Sequence, residues 1–247
     1  MRIIVSPTKQ MVSGDGCVAP AGAPVYKDKA QQVLSYLQSL SFQEAMKLWG
    51  CSQKLAQEAF EVVQDANLEN GLTPAVLAYD GIAFKYMAPS VFEQGQFDYL
   101  QDHLRILSGM YGVLRPLDGI TSYRLEMQAK AAVNGSKNLY DFWGKSLYDQ
   151  VMDESGVVVN LASKEYSRCI ERYLTQDDAM ITCVFGQIEH GRVVQKGVYA
   201  KMARGDMVRF MAEGSIEDPE EIQSYNRMGY VFDEDRSSQT EYVFIKD

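Results

Sequence analysis

Histidine is scarce in this 247-residue chain, which holds only His103 and His190. Cysteine is little commoner: Cys17, Cys51, Cys169 and Cys183 are scattered, with no CxxC pair. That inventory argues against a zinc site built from Cys and His, and no metal or cofactor is expected. Scattered cysteines of this kind read as reduced thiols. No apolar run approaches the length of a membrane span. The opening MRIIVSPTK turns polar too soon for a signal peptide, so a cytosolic protein without membrane contact is expected. Also missing are a Ser-His-Asp order, HExxH, a Rossmann glycine fingerprint, a P-loop and an EF-hand loop. A conventional hydrolase or dehydrogenase is therefore disfavoured. Positive charge is short as well: 24 Lys and Arg face 33 Asp and Glu, a net of −9. Such a chain does not coat nucleic acid through bulk charge.

What is present is an ordinary globular composition, 46% hydrophobic and 23% charged, long enough to bury a real core. The acid is uneven. Residues 213–247 hold ten acidic and three basic side chains, so the rest of the chain is close to neutral. Within that rest, residues 192–209 gather Arg192, Lys196, Lys201, Arg204 and Arg209 against Asp206 alone. A local positive site is allowed; a basic coat is not.

Hydrophobic periodicity predicts a buried strand over residues 2–6 and a loop over residues 13–24. Helices are expected over 30–40, 42–48, 53–64, 97–104, 139–152, 165–174, 201–211 and the PEEIQSYNRM stretch. Strands are expected at AVLAY (75–79), VVVNLAS (157–163) and in two runs at the end of the chain. A hairpin turning at His190-Gly191 is expected between MITCVFGQIE and GRVVQKGVYA. Strands and helices mix without a steady βαβα alternation. The fold class expected is mixed α/β (α+β), one compact domain over residues 1–247.

Five stretches hold candidate chemistry. Residues 108–127, SGMYGVLRPLDGITSYRLEM, place Arg115 and Arg124 among turn formers. Arginine is a planar fork suited to phosphate or carboxylate. Asp118 and Glu126 can orient these arginines or act as an acid–base pair. The plainer alternative is a structural loop tied by Arg115–Asp118 and Arg124–Glu126 ion pairs. In residues 196–211, Lys201, Arg204 and Arg209 fall within an arc of about 140° on a helical wheel, opposite Ala203, Met207, Phe210 and Met211. That face is either solvated or a binding site for anions.

After the first strand, Ser6, Thr8 and Lys9 can hold a phosphate, or form a simple turn. LWGCSQKLA (48–56) matches a DNA-binding helix-hairpin-helix at Leu48, Gly50, Lys54 and Ala56, with Ser52 in place of its second glycine. A plain helical hairpin with Ser52 as N-cap is the other reading. In residues 157–168 Ser163 is the expected N-cap, while Asn160 in an apolar strand requires hydrogen-bond partners.

Taken in order, RIIVSPTK, LRILSGMYGVLRPLDGITSYRLEM, LYDFWG, VVNLASKEYSR, YAKMARGDMVRFM and the closing MGYVFDEDRSSQTEYVFIK resemble the signature segments of the YaaA family of bacterial peroxide-stress proteins. The resemblance implies a cytosolic protein with a mixed α/β fold peculiar to the family. It implies survival of hydrogen peroxide through limiting free iron, a cationic cleft, a helix-hairpin-helix element, and binding of duplex or branched DNA. Carried onto this chain, the cleft cations are Lys9, Arg115, Arg124, Lys201, Arg204 and Arg209, and the hairpin is Gly50, Ser52 and Lys54. The alternative is an enzyme acting on a small phosphorylated or nucleotide-like ligand, because Asp118 and Glu126 are interleaved with the cations. Iron capture by the acidic runs at 217–221 and 233–235 ranks last.

Overall fold

The computed structural model describes residues 1–14 and 18–246. Cys17 and the middle of the expected loop at 13–24 lie outside the described residues, as does Asp247 of the acidic tail.

The apolar RIIV run forms β1 (Arg2–Val5), with Ile3 and Ile4 fully buried, as a strand covered on both faces requires. A short β2 (Gln10–Met11) precedes three helices, α1 (Lys27–Ser39), α2 (Phe42–Trp49) and α3 (Gln53–Asp65). Next come β3 (Thr73–Pro74), the single turn α4 (Ala75–Ala78), β4 (Tyr79–Asp80), α5 (Ile82–Met87) and α6 (Gln94–His103). The strands β5 (Leu104–Ser108), β6 (Gly112–Leu114) and β7 (Gly119–Ile120) follow. Two short helices, α7 (Leu139–Trp143) and α8 (Ser146–Val151), lead to β8 (Val157–Asn160) and α9 (Lys164–Glu171). The chain then runs through β9 (Ala179–Glu189), β10 (Arg192–Val194), α10 (Gly197–Gly214), β11 (Tyr230–Phe232) and β12 (Glu241–Lys246).

The main sheet has the order β11-β12-β9-β8-β1-β5-β6, with β10 added to β9. Its middle strands β12, β9, β8, β1 and β5 are all parallel. Antiparallel β11 and β6 close the two sides. This is a mixed α/β domain around one hydrophobic core. The parallel middle was not legible in the element order, because β1 reaches its partner β5 only after a long helical excursion.

The register fixes where a ligand can approach. The connection leaving β1 runs to β5 on one side, and the connection leaving β8 runs to β9 on the other. Adjacent parallel strands whose connections diverge leave a crevice outside their carboxyl ends, the usual ligand position in open α/β sheets.

Several expectations need correction. AVLAY is a strand only at Tyr79: Ala75 and Val76 donate their N–H groups to the carbonyls of Asp118 and Pro116, each at 2.9 Å. With those donors engaged by a loop, the four residues close a helical turn. The helix expected over 139–152 is two, interrupted at Gly144 with φ 54°. PEEIQSYNRM forms only a 3-10 segment, Pro219–Ser224. The hairpin turns where expected, with φ 50° at His190 and 76° at Gly191, the two left-handed positions of a tight primed turn, but its second strand is only Arg192–Val194, and the GVYA expected in it opens α10. Glycine is required once in α10: a Cβ on Gly205 would sit 1.9 Å from the Ala83 carbonyl oxygen, so α10 crosses α5 backbone to backbone.

Candidate functional site

The carboxyl ends of β1 and β8 are tied by two serines. Ser6 accepts the Ser163 N–H at 2.8 Å and donates its own hydroxyl to Ser163 Oγ at 3.2 Å. Ser163 stands at the N-cap position of α9, yet its side chain makes no capping bond; it is turned to Ser6 instead. Asn160 resolves as a buried amide with partners: Nδ2 donates to Thr182 Oγ1 at 3.2 Å, and Oδ1 accepts the Ala162 N–H at 2.9 Å.

Beyond the serines lies a charged cluster. Lys9 Nζ contacts Glu126 Oε1 at 2.8 Å, with the lysine side chain 56% exposed and the glutamate 25%. Glu165, in the first turn of α9, accepts the Gln128 N–H at 3.1 Å. Burial lifts the Glu165 pKa above the ordinary glutamate value, against the hydrogen bond from Gln128. The charge of Glu126 adds to the rise, and Lys9 opposes it. A carboxyl held above its ordinary pKa near an ammonium can serve as a proton donor. Sequence reading placed Glu165 at a helix start but not beside Lys9. No spacing rule links residues 9, 126 and 165; only the sheet order does.

Beneath the cluster is a hydroxyl chain. Tyr123 Oη lies 2.8 Å from Tyr79 Oη and 2.6 Å from Ser108 Oγ, and all three residues are buried. Burial pushes Tyr123 up to about 12, so the phenol stays neutral at physiological pH. Ser108 also accepts the N–H groups of Met110 and Tyr111. At Gly109 a Cβ would fall 2.9 Å from the Leu125 carbonyl oxygen, so the two ends of the 108–127 segment meet only because a glycine stands there. Arg124, half-buried, lies between Tyr123 and Glu126 in this returning arm.

Arg115 and Asp118 are elsewhere. Leu114 pairs with Ile106 in the β5–β6 ladder, which sets Arg115 beside Arg105, at the amino end of β5. Three residues of β5, about 10 Å at 3.3 Å per residue, separate Arg105 from Ser108, which contacts Tyr123. Asp118 is buried and accepts the Arg115 N–H at 2.8 Å. Burial pushes its carboxyl up to about 6, although that hydrogen bond, Arg115 and Arg105 all oppose the rise. Arg105 is buried too, and donates to the carbonyls of Gln101 at 3.1 Å and Leu104 at 2.7 Å, closing the end of α6. Asp118 and Glu126 therefore do not form one acid–base pair, and Arg115 does not join Lys9.

The cations of α10 divide three ways. Lys201 is exposed. Arg209 is paired with Glu213 at 2.7 Å, and Glu213 also holds Arg227 at 2.7 Å. Arg204 lies against Cys183 of β9; its Nε is buried with no hydrogen-bond partner among the described residues. Burial lowers its pKa, and only the Cys183 sulfur opposes this.

The α2–α3 pair is a helical hairpin. Gly50 ends α2 in the left-handed conformation, φ 56°, and Ser52 starts α3 without a side-chain capping bond. Gly50, Ser52 and Lys54 are all exposed. The structure shows a hairpin of two helices; it does not distinguish a DNA-binding one from a plain one.

Among the described residues no group of three or more His, Cys, Asp or Glu side chains is placed to hold a metal ion. In the acidic tail Asp233 pairs with Arg236 at 2.7 Å, and Asp218 accepts the Glu220 N–H. His103 Nδ1 lies 2.9 Å from the Met1 carbonyl oxygen, a structural contact. Cys51, Cys169 and Cys183 are free thiols. No helix among the described residues is long and apolar enough to cross a membrane.

Comparison with known proteins matches residues 1–236 to the family model described as peroxide stress protein YaaA. A UPF0246 protein of Agathobacter rectalis is 54% identical over 244 residues, covering 99% of this chain and 98% of the relative. One from Lachnoclostridium phytofermentans is 50% identical, over 100% of this chain and 96% of the relative. One from Desulfitobacterium hafniense is 48% identical, over 100% and 98%.

Proposed function

The chain belongs to the peroxide stress protein YaaA family, and from that membership we propose that it protects cytosolic DNA and protein from iron-driven peroxide damage, engaging DNA through phosphate contacts. The contacts assigned are Arg124, Lys201 and Arg204, with Gly50, Ser52 and Lys54 of the hairpin as a second point. Arg115 is left out because it stands at the opposite end of the sheet, and Lys9 and Arg209 already hold carboxylates. The observation that supports the reading is Arg204. Its buried Nε has no hydrogen-bond partner among the described residues, and in a protein of net charge −9 such a guanidinium favours an anion.

Fluorescence anisotropy on linear and branched duplexes tests it. Affinity falls steeply with salt as phosphate contacts release counterions. The Lys201→Gln, Arg204→Gln double variant lowers both the affinity and the salt slope. Undetectable binding at low salt sinks the DNA reading.

One observation favours a second reading, an enzyme acting on a small phosphorylated or nucleotide-like ligand at the carboxyl edge. Glu126 pairs with Lys9, and Glu165 feels the charge of both, at the crevice between β1 and β8. A groove that only neutralises a DNA backbone has no use for these carboxylates. A thermal-shift screen of nucleotides and phosphometabolites separates the readings. A ligand that stabilises the wild type but not Arg124→Ala supports the enzyme, and no stabilisation across the library counts against it.

A further inference from the structure

The outer face of α9 continues past Glu165 to Arg168 and Arg172. At 100° per residue these two lie within about 60° of Glu165, one helical turn apart and about 6 Å along the axis. Both are exposed, and neither forms an ion pair among the described residues. The carboxylate between them is already held: Glu171 takes Lys164 and the Ser167 hydroxyl.

The two guanidinia border a groove of about 520 Å³ between α9 and the start of α7, completed by Asn138, Tyr140, Asp141 and Glu171. That volume falls within the roughly 300–1,000 Å³ of small-molecule sites. The arginines are oriented before any ligand arrives. The Arg168 guanidinium lies over the Tyr140 ring at 4.6 Å, and that of Arg172 over Tyr173 at 5.1 Å. Tyr140 is itself fixed, donating its hydroxyl to the Glu165 carbonyl at 2.9 Å. Stacked, pre-oriented forks lose less freedom on binding than free ones.

The α7 side offers complementary groups. Asn138 Oδ1 caps α7 by accepting the Asp141 N–H at 3.0 Å, which leaves its NH₂ to donate. The Asp141 carboxylate can accept from sugar hydroxyls.

We propose that this groove is a binding site for a nucleoside phosphate, its phosphates on Arg168 and Arg172 and its sugar and base edge on Asp141 and Asn138. Its lining residues are distinct from the carboxyl-edge cluster and from the α10 cations.

Isothermal titration with ADP, adenosine and inorganic phosphate tests it on the intact chain. The expected result is saturable ADP binding, weakened at least about tenfold in Arg168→Gln, Arg172→Gln, with adenosine failing to bind. Absence of ADP binding, or equal binding by the double variant, overturns the proposal. Loss of ADP binding in Arg124→Ala also overturns it, because the nucleotide then sits at the carboxyl edge. A single-stranded 20-mer that binds while ADP does not, and weakens in the double variant, overturns it in favour of a nucleic-acid track. Should the double variant melt early by circular dichroism, the exposed single change Arg172→Gln gives the same readout.

Discussion

At the amino end of β5, Arg105, Arg115 and Asp118 meet; at the carboxyl ends of β1 and β8, Lys9, Glu126 and Glu165 meet. Both groups mix cations with carboxylates, and the 108–127 segment supplies members to each. Their burial separates them. Arg105 and Asp118 are 5% and 4% exposed and are engaged by backbone groups, namely the carbonyls at the end of α6 and the Arg115 N–H. Lys9 and Glu126 face solvent and mainly each other. The first group stabilises a turn and a helix end; the second remains available to a ligand. Residue type alone does not assign a role, and position along a strand does.

The comparison can be broken most directly at its buried end. Arg105→Met removes the donor from two carbonyls and leaves Asp118 buried without that cation. The expected loss is about 4 kcal/mol in urea unfolding. A loss under about 1 kcal/mol would mean the amino-end group is no more structural than the exposed one.

A somewhat smaller effect is expected in the pH dependence. Asp118 titrates at about 6 in the folded chain and near its ordinary 3.8 when unfolded. The folded state holds that proton more tightly, so this contribution to stability is full below about 4 and is lost as pH rises through about 6. The swing is about 2–3 kcal/mol. In Asp118→Asn the swing disappears while the acceptor for the Arg115 N–H remains. Parallel stability-against-pH curves for the two proteins would refute the assignment.

The least effect on stability is expected at the exposed end. Lys9→Gln should change unfolding free energy by under about 1 kcal/mol, since an exposed ion pair is screened by water and salt. A changed affinity for a small phosphorylated ligand with an unchanged melting curve supports the contrast, and a loss of stability above about 1 kcal/mol refutes it.

Much of the fold was legible. The α2–α3 hairpin, α10 and the β9–β10 turn follow from period and from His190-Gly191. AVLAY was misread because a short apolar run has no periodicity to separate strand from helix; the Asp118 and Pro116 carbonyls decide it. The site was legible only in part. Ser6, Thr8 and Lys9 after the first strand and Ser163 as an N-cap were legible, but their meeting depends on β1 lying between β5 and β8. The nine-residue spacing of Arg115 and Arg124 conceals that β5 and β6 send them to opposite ends of the sheet. No spacing rule singles out Arg168 and Arg172, because the groove that sets them opposite Asn138 and Asp141 joins segments about 30 residues apart.

The place of β1 has a consequence for how the chain acquires its structure. Ile3 pairs with Leu104 on one side and Val159 on the other. Both pairings close long loops, whose chain entropy is lost before the strand gains its contacts. The middle of the sheet thus depends on the most distant contacts in the sequence, and a topology of this kind folds slowly. Until β8 arrives, one edge of β1 stays open, an apolar strand with unpaired amides and a template for association with another chain. The same central position that creates the ligand crevice makes the nascent protein depend on a late partner.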